Sequence, residues 1–539
     1  MARSVRVGAR DIPMAVLAPV VAAIVVRLVF AYTDNTVSPD EAAYLGTGIN
    51  IWRGHGITYA GAPELHFPPF LPIILGGLAK ITPEPHHATV LVTFVASVAL
   101  VLVVGALAAR IGGRRAAILA LWFAALSPGL SVIVARGAGG SEAIYAAIIC
   151  GAALVTVGPR GTWRDPPSVL RGAVVGLLIG AGYLLRPEGI LISVVFGLVL
   201  AVRARTVRRI VTVGAACLAG LAVLAAPYVA YLHRESGHWE LTAKSVDVNV
   251  EAWHAVASQD RVTRDEYLYA LDSSGHSTEH KEYALTALAR AHPRQYLGIV
   301  TENLQQLYKS LLSPNVTTMP GWRVIALPLF PFALWALWRH RREPTVVAIG
   351  GVMALGLATV IGFFVLNRYL PPVVAVLVVL AAVGMAEIGD RRRRLWITLG
   401  IVTSLMSLAT YFEGPHGPQI VREQPDLQIA ARWLREHDIP RGARVMTRST
   451  ALTYYLPHNK LIVPAVGTPA QVLEFARFNR VRYFIFDPTT QFLRRQLAPL
   501  TRGHHAGFAT VHKFRVDDRT TWIFKVLPAR TEPLGRPTP

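Results

Sequence analysis

The residues best suited to chemistry sit in one short run, Asn35-Thr36-Val37-Ser38-Pro39-Asp40-Glu41-Ala42-Ala43-Tyr44. Two adjacent carboxylates, Asp40 and Glu41, are of a residue type that can take up a proton. Asp40 and Tyr44 are four residues apart, so they share one face of a helix. Ser38 suits the cap of that helix, Pro39 its first position, and the two acids the positive end of its dipole. The same order also describes a plain helix start, so the chemical reading rests on where the run falls in the chain. Further on comes His66-Phe67-Pro68-Pro69-Phe70-Leu71-Pro72, in which the prolines impose an irregular approach to an apolar stretch, Phe70–Leu78, too short to span a membrane. His66 suits a hydroxyl, a phosphate or a metal, and equally a solvated loop. Arg27, Arg136, Arg186 and Arg368 lie inside or at the ends of apolar segments, where charge is costly and marks a site or a paired interior. Snorkelling to the interface accounts for such arginines too, and Arg186 has Glu188 close by as a partner. Arginines set among carboxylates suit an anionic ligand carrying phosphate.

The elements that must position these groups are membrane helices. The chain has 539 residues, 53% of them hydrophobic and only 16% charged, against about 25% charged in ordinary globular chains. Two cysteines exclude a disulfide scaffold, and the hydrophobicity excludes disorder for most of the chain. A bilayer core needs about 20 apolar residues per helix. Eleven candidate spans follow: Ile12–Tyr32, Ala88–Ala109, Ala116–Val134, Glu142–Val157, Gly172–Leu185, Gly189–Val202, Ile210–Leu232, Val324–Trp338, Pro344–Leu366, Pro371–Ile388 and Leu395–Phe412. The fourth to sixth are short. The first reads as a retained anchor, because it is long for a signal peptide and lacks a small-residue cleavage pattern.

The net charge of +21 first admits a nucleic-acid partner. The placement of the basic residues removes it. Twenty arginines fall in alternate connections between spans, in small groups at residues 3–10, 110–115, 160–171, 203–209, 339–342 and 391–394. That is a positive-inside pattern, not a basic surface. It predicts a multi-pass protein of the cell (plasma) membrane with a cytoplasmic N-terminus and an extracytoplasmic C-terminal domain. Residues 1–412 form the transmembrane part, with outer loops 33–87 and 233–322; Trp239 and Lys244 in the second are candidates for the acceptor side. Residues 413–539 read as a small α/β domain. Its helices are Asp426–His437 and Pro469–Asn479, its strands Arg444–Met446, Lys460–Val463 and Val481–Phe486, closed by a hairpin of Phe508–Phe514 and Thr521–Val526. Cys150 and Cys217 fall within spans and read as packing residues.

Taken in order, Asp40-Glu41-x-x-Tyr44 after the first span, Pro68-Pro69-Phe70, Arg136 with Ser141-Glu142, Arg186-Pro187-Glu188, and Arg368-Tyr369 with Pro371 resemble the integral-membrane glycosyltransferases of the C-type fold (GT-C-like). These include the family 39 protein O-mannosyltransferases and the lipid A aminoarabinose transferases. The resemblance covers essentially the whole chain. It implies a membrane all-α fold, a polytopic bundle of about eleven transmembrane helices with a small C-terminal α/β domain. It implies a polyprenyl-phosphate sugar as donor and a hydroxyl on a glycan, lipid or protein as acceptor, at the outer membrane face. Asp40 would then be the catalytic base and Glu41 its supporting partner. Arg136 would contact the donor phosphate, and Glu142 matches a second acidic position. Tyr44, His66, Arg186, Arg368 and Tyr369 complete the expected substrate-binding set. One departure stands out: relatives often carry Lys immediately before the two prolines, where this chain has Phe67 with His66 beside it.

The chemistry is coherent on its own terms. A lipid phosphate leaves without a protonating acid, so transfer with inversion needs one base and cationic or hydrogen-bonding groups on the departing phosphate. A divalent cation could assist, with the acids and His66 as the only candidate ligands, but no metal-ligand cluster is visible, so neither a metal nor another cofactor is the expectation. Two other readings compete. A transporter or flippase would carry internal repeats and mid-membrane polar breaks, which the sequence lacks. An anchored binding or assembly protein would place its activity in residues 413–539.

Overall fold

The structure, a computed structural model, describes residues 12–32, 37–127, 129–131, 140–159, 162–243, 262, 265–266, 269–276, 289–290, 292–312, 329–362, 369–388, 390–413, 425–503, 505, 507–516 and 518–528. The chain divides into two compact units. The first holds Met1–Asn35, Leu65–Ala243 and Leu297–Arg422; the second holds Thr36–Glu64, Lys244–Tyr296 and Glu423–Pro539.

The first unit is a bundle of apolar helices. They are α1 (Ile12–Tyr32), α3 (Phe70–Leu78), α4 (Pro85–Leu126), α5 (Ser141–Val157), α6 (Val169–Tyr183), α7 (Ile192–Ala204) and α8 (Val207–Ser236), then α10 (Phe330–Arg339), α11 (Pro344–Gly362), α12 (Pro371–Ala386) and α13 (Asp390–Glu413). The helix Pro293–Leu312 is α9. A helix lies at every expected span, but among the described residues five are long and apolar enough to cross a membrane; α5, α6 and α12 are apolar and shorter. Burial explains one short helix: every residue of α12 from Pro371 to Met385 is buried, as in a helix apolar on all sides and enclosed by others.

Two expected spans merge in α4, which breaks at Gly113 with φ 69° and ψ −162°. Gly105 and Leu121 lie at equal sequence distance from Gly113 and touch: a Cβ on Gly105 would sit 2.7 Å from Leu121 Cδ2. The chain therefore reverses at Gly113 into a helical hairpin, at a positive φ that glycine adopts without strain. Helices α6 and α8 approach through glycines. A Cβ at Gly176 would lie 1.9 Å from the carbonyl oxygen of Cys217, and one at Gly220 would lie 2.4 Å from that of Ala173. In lipid, where apolar burial gives no drive, such close backbone packing holds helices together. Both cysteines are free and buried.

Of the two readings of Arg27, a site or a paired interior, the structure shows the second. Arg27 is fully buried; its Nε donates to Ser97 Oγ at 2.6 Å. Its terminal nitrogens donate to the carbonyls of Ala125 and Ala124 at 3.2 Å, and of Ala23 and Leu130 at 3.3 Å. A guanidinium has five donors and all are engaged here, so Arg27 braces the end of α4 and holds none for a ligand. Arg203 is likewise not a plain helix-end charge: buried, it donates to the carbonyls of Thr156 at 2.5 Å and Asp165 at 2.6 Å.

The second unit centres on a five-stranded sheet of β3 (Arg444–Met446), β4 (Lys460–Ile462), β5 (Val481–Phe486), β6 (Phe508–Val516) and β7 (Arg519–Val526), in the order β4-β3-β5-β7-β6. The first three are parallel, and β7 and β6 are antiparallel. Both faces are covered. On one, Leu427, Ala430 and Leu434 of α14 (Pro425–Glu436) pack with Tyr483, Ile485 and Ile523. On the other, Val472 and Phe475 pack with Phe484, Phe486 and Phe524. The alternation along β5 sends successive side chains to opposite cores. Short helices α15 (Leu452–Tyr455), α16 (Pro469–Phe478) and α17 (Pro488–Leu493) complete the domain.

A stretch of the segment between α8 and α9 belongs to this domain. Asp265 is 4% exposed and pairs with Arg448 at 2.5 Å and with Arg494. The Tyr269 ring lies under both guanidiniums, 4.8 and 5.5 Å from their centres. Val466 N donates to the Tyr269 carbonyl at 2.9 Å, and His276 stacks on Phe478. Arg448 follows β3, and Arg494 follows the helix after β5. This cluster thus lies at the carboxyl ends of the parallel strands, the side on which such sheets usually hold ligands. Asp265→Ala would leave two largely buried guanidiniums without a counter-charge, at a cost of about 3–5 kcal/mol. Chemical unfolding followed by the fluorescence of Trp433 and Trp522 checks that loss.

Candidate functional site

The Asp40-Glu41 pair opens α2 (Pro39–Trp52), in the second unit. Ser38 is extended, at φ −72° and ψ 158°, and its Oγ accepts a hydrogen bond from Glu41 N at 3.1 Å. Pro39 sits at the first helical position, where a missing N–H costs nothing. The cap sets the two acids apart by environment. Asp40 is half-buried and keeps access to solvent, whereas Glu41 is 1% exposed. Tyr44, one turn on from Asp40, is buried in the helix.

A second cluster forms in the first unit from residues distant in sequence. Arg186 caps the 3-10 turn Pro187–Leu191 and is 8% exposed. Its guanidinium donates to Glu142 Oε1 at 2.8 Å and pairs with Glu188 at 3.4 Å. It lies 4.5 Å from the ring centre of Tyr369 and 5.8 Å from that of Tyr145. Glu142 is in the first turn of α5, and its Oε2 is buried without a hydrogen-bond partner. The cluster thus joins three expected residues, Glu142, Arg186 and Tyr369. Two carboxylates meet one guanidinium here, so Arg186 is already neutralised and offers no spare positive charge to a phosphate. Tyr145 was not among the expected residues; its signal is the three-residue spacing from Glu142, which puts both on one helix face.

His66 is half-buried with its ring edge-on to Phe67 at 4.6 Å, and Phe67, Pro68 and Pro69 are buried at the start of α3. Arg136 and Arg368 lie outside the described residues. Among the described residues no group of three or more His, Cys, Asp or Glu is arranged to hold a metal ion.

Solved structures share this architecture. ArnT from Cupriavidus metallidurans bound to undecaprenyl phosphate is similar over 95% of this chain and 98% of that one, with a TM-score of 0.60 and 13% identity. The oligosaccharyltransferase of Archaeoglobus fulgidus in the apo form is similar over 92% of this chain and 72% of that one, with a TM-score of 0.57 and 13% identity. The mycobacterial arabinofuranosyltransferase AftD is similar over 97% of this chain but 40% of that one, with a TM-score of 0.50 and 13% identity. The chain has a GT-C-like fold. At this identity the likeness is one of fold. No family model matches the chain, and no curated protein matches it by sequence. In the terms of the GT-C-like fold, the apolar helices form a large polytopic membrane bundle, and the β-containing C-terminal region accompanies it.

Proposed function

We propose that this chain is a glycosyltransferase of the family 39-like kind, which moves a sugar from polyprenyl phosphate to an acceptor hydroxyl with inversion. The observation that carries the reading is the capped start of α2: Ser38 holds the turn, Asp40 stays accessible and Glu41 is buried beside it. The fold shared along the chain with ArnT bound to undecaprenyl phosphate supports a lipid-phosphate donor. In this reading the Asp40 carboxylate takes the proton of the acceptor hydroxyl as that oxygen bonds to the anomeric carbon. The bond from the anomeric carbon to the phosphate oxygen breaks, and polyprenyl phosphate leaves with the electron pair. Glu41 supports Asp40. Arg136 contacts the phosphate, with Arg368 and His66 as further donors to it. Arg186, held between Glu142 and Glu188 and stacked on Tyr369, fixes the carboxylate of Glu142 for the sugar hydroxyls. Tyr44 lines the acid face of α2. The acceptor is a glycan, a lipid or a protein at the outer face of the plasma membrane, with the N-terminus cytoplasmic.

Purified protein in liposomes, supplied with polyprenyl-phosphate sugars labelled in the sugar, tests this reading. Label moving onto an added envelope acceptor, with release of polyprenyl phosphate, is the expected result. Label that crosses the bilayer still attached to its lipid would instead identify a flippase.

A further inference from the structure

The C-terminal α/β domain has no role in the reaction as written, yet the helix that carries Asp40 belongs to the same compact unit as that domain. The link between them is a small hairpin, β1 (Thr58–Tyr59) and β2 (Ala62–Pro63). Its two-residue turn is Ala60 and Gly61, with φ of 50° and 82°, the geometry favoured for tight hairpins. Asn50 near the end of α2 donates to the Thr58 carbonyl at 2.9 Å, so the hairpin is tied to the helix.

Tyr59 then makes contact on two sides. Its ring packs against α2 at Gly46: a Cβ there would sit 2.9 Å from Tyr59 Cδ2. Its hydroxyl hydrogen-bonds the hydroxyl of Thr453 in α15 and reaches the Thr450 carbonyl at 3.5 Å. Thr453 Oγ1 in turn donates to the Thr450 carbonyl at 2.7 Å, so its proton is taken and the tyrosine must be the donor. Beside it, the hairpin turn rests on β4, where a Cβ at Gly61 would lie 2.6 Å from Lys460 Cε. Burial pushes the Tyr59 phenol up to about 12, and the charges of Glu64 and Asp40 add to the rise. The donor hydrogen is therefore present throughout the working range, and Tyr59 lies close enough to Asp40 to feel its charge.

We propose that Tyr59 is a positioning residue through which the α/β domain holds α2, and with it Asp40, in the orientation that transfer requires. This rests on Asp40 being the base. A carboxylate displaced by a fraction of an ångström loses much of its effect, and misplacement of about 1 Å costs on the order of 100-fold in rate. Tyr59→Phe keeps the ring on Gly46 and removes only the hydroxyl. Thr453→Val removes its acceptor, and Thr453→Ser restores it.

The experiment measures kcat and donor KM in these full-length variants alongside Asp40→Asn, with thermal unfolding as a check on folding. Tyr59→Phe and Thr453→Val should each lower kcat roughly 10-fold with donor KM unchanged. The double variant should be no worse than either single one, Thr453→Ser should recover the parent rate, and unfolding should stay close to the parent. If both single variants keep the parent kcat while Asp40→Asn is inactive, the positioning role is wrong and the base assignment stands. If Asp40→Asn itself turns over at the parent rate, the base assignment fails first. Loss of kcat that Thr453→Ser does not restore would also overturn the proposal.

Discussion

Asp40→Asn should lower kcat by about 1,000-fold, within the range of 10²–10⁴ that a positioned general base contributes. Asparagine has the shape of aspartate and suits the first turn of a helix, so Ser38 keeps its bond to Glu41 N and α2 keeps its start. The loss of a favourable helix-end charge costs only about 0.3–1 kcal/mol. Donor KM should hardly move, because the proton acceptor gains its role in the transition state and not in the bound donor. Glu41→Gln gives the contrast. Glu41 is buried where Asp40 is not, so its substitution should affect folding as well as rate. Steady-state kinetics with labelled donor, paired with thermal unfolding, separate the two. A folded Asp40→Asn protein at parent speed would remove the base from the account.

Gly176→Leu should disrupt the helical bundle. The first carbon of any side chain at residue 176 would stand 1.9 Å from the carbonyl oxygen of Cys217, a backbone atom that no rotamer change can move. Ordinary overpacking costs about 1–3 kcal/mol, and a clash with backbone exceeds that because α6 and α8 must separate. The separation also shifts Arg186, which lies three residues beyond the end of α6 and carries Glu142 with it. Gly214 on α8 provides the control, since a Cβ there meets nothing within 4 Å. Thermal stability in detergent should fall sharply for Gly176→Leu and stay near the parent for Gly214→Leu. Equal stability of the two would contradict the close packing of α6 and α8.

Much of the fold was legible in the residues because its signals are local. The Ser38 cap, the run Phe70–Leu78, and the strands Arg444–Met446 and Val481–Phe486 appear where spacing and composition place them. Each depends on neighbours within a few residues. Features that pair distant residues were not legible. Nothing in the sequence ties Asp265 to Arg448 and Arg494, or Tyr59 to Thr453, and so nothing shows that pieces of two distant loops complete the α/β unit. The same limit affects the site. The sequence marks Arg27 and Arg186 as costly charges in an apolar setting but not their partners. Only the structure distinguishes a brace of backbone carbonyls from an arginine neutralised by Glu142 and Glu188. The phosphate contact that the resemblance implies, Arg136, lies outside the described residues. Span length was also a weak guide: α12 is short because it is enclosed on every side.

The anomeric configuration of the product tests the central claim most directly. Purified protein is given a polyprenyl-phosphate sugar of known configuration and an acceptor, and the product is read by proton NMR while released polyprenyl phosphate is counted. A single base acting without a covalent sugar intermediate predicts one released polyprenyl phosphate per transfer and a product of opposite configuration. Retained configuration, or polyprenyl phosphate that keeps its sugar while the acceptor stays unlabelled, would contradict it.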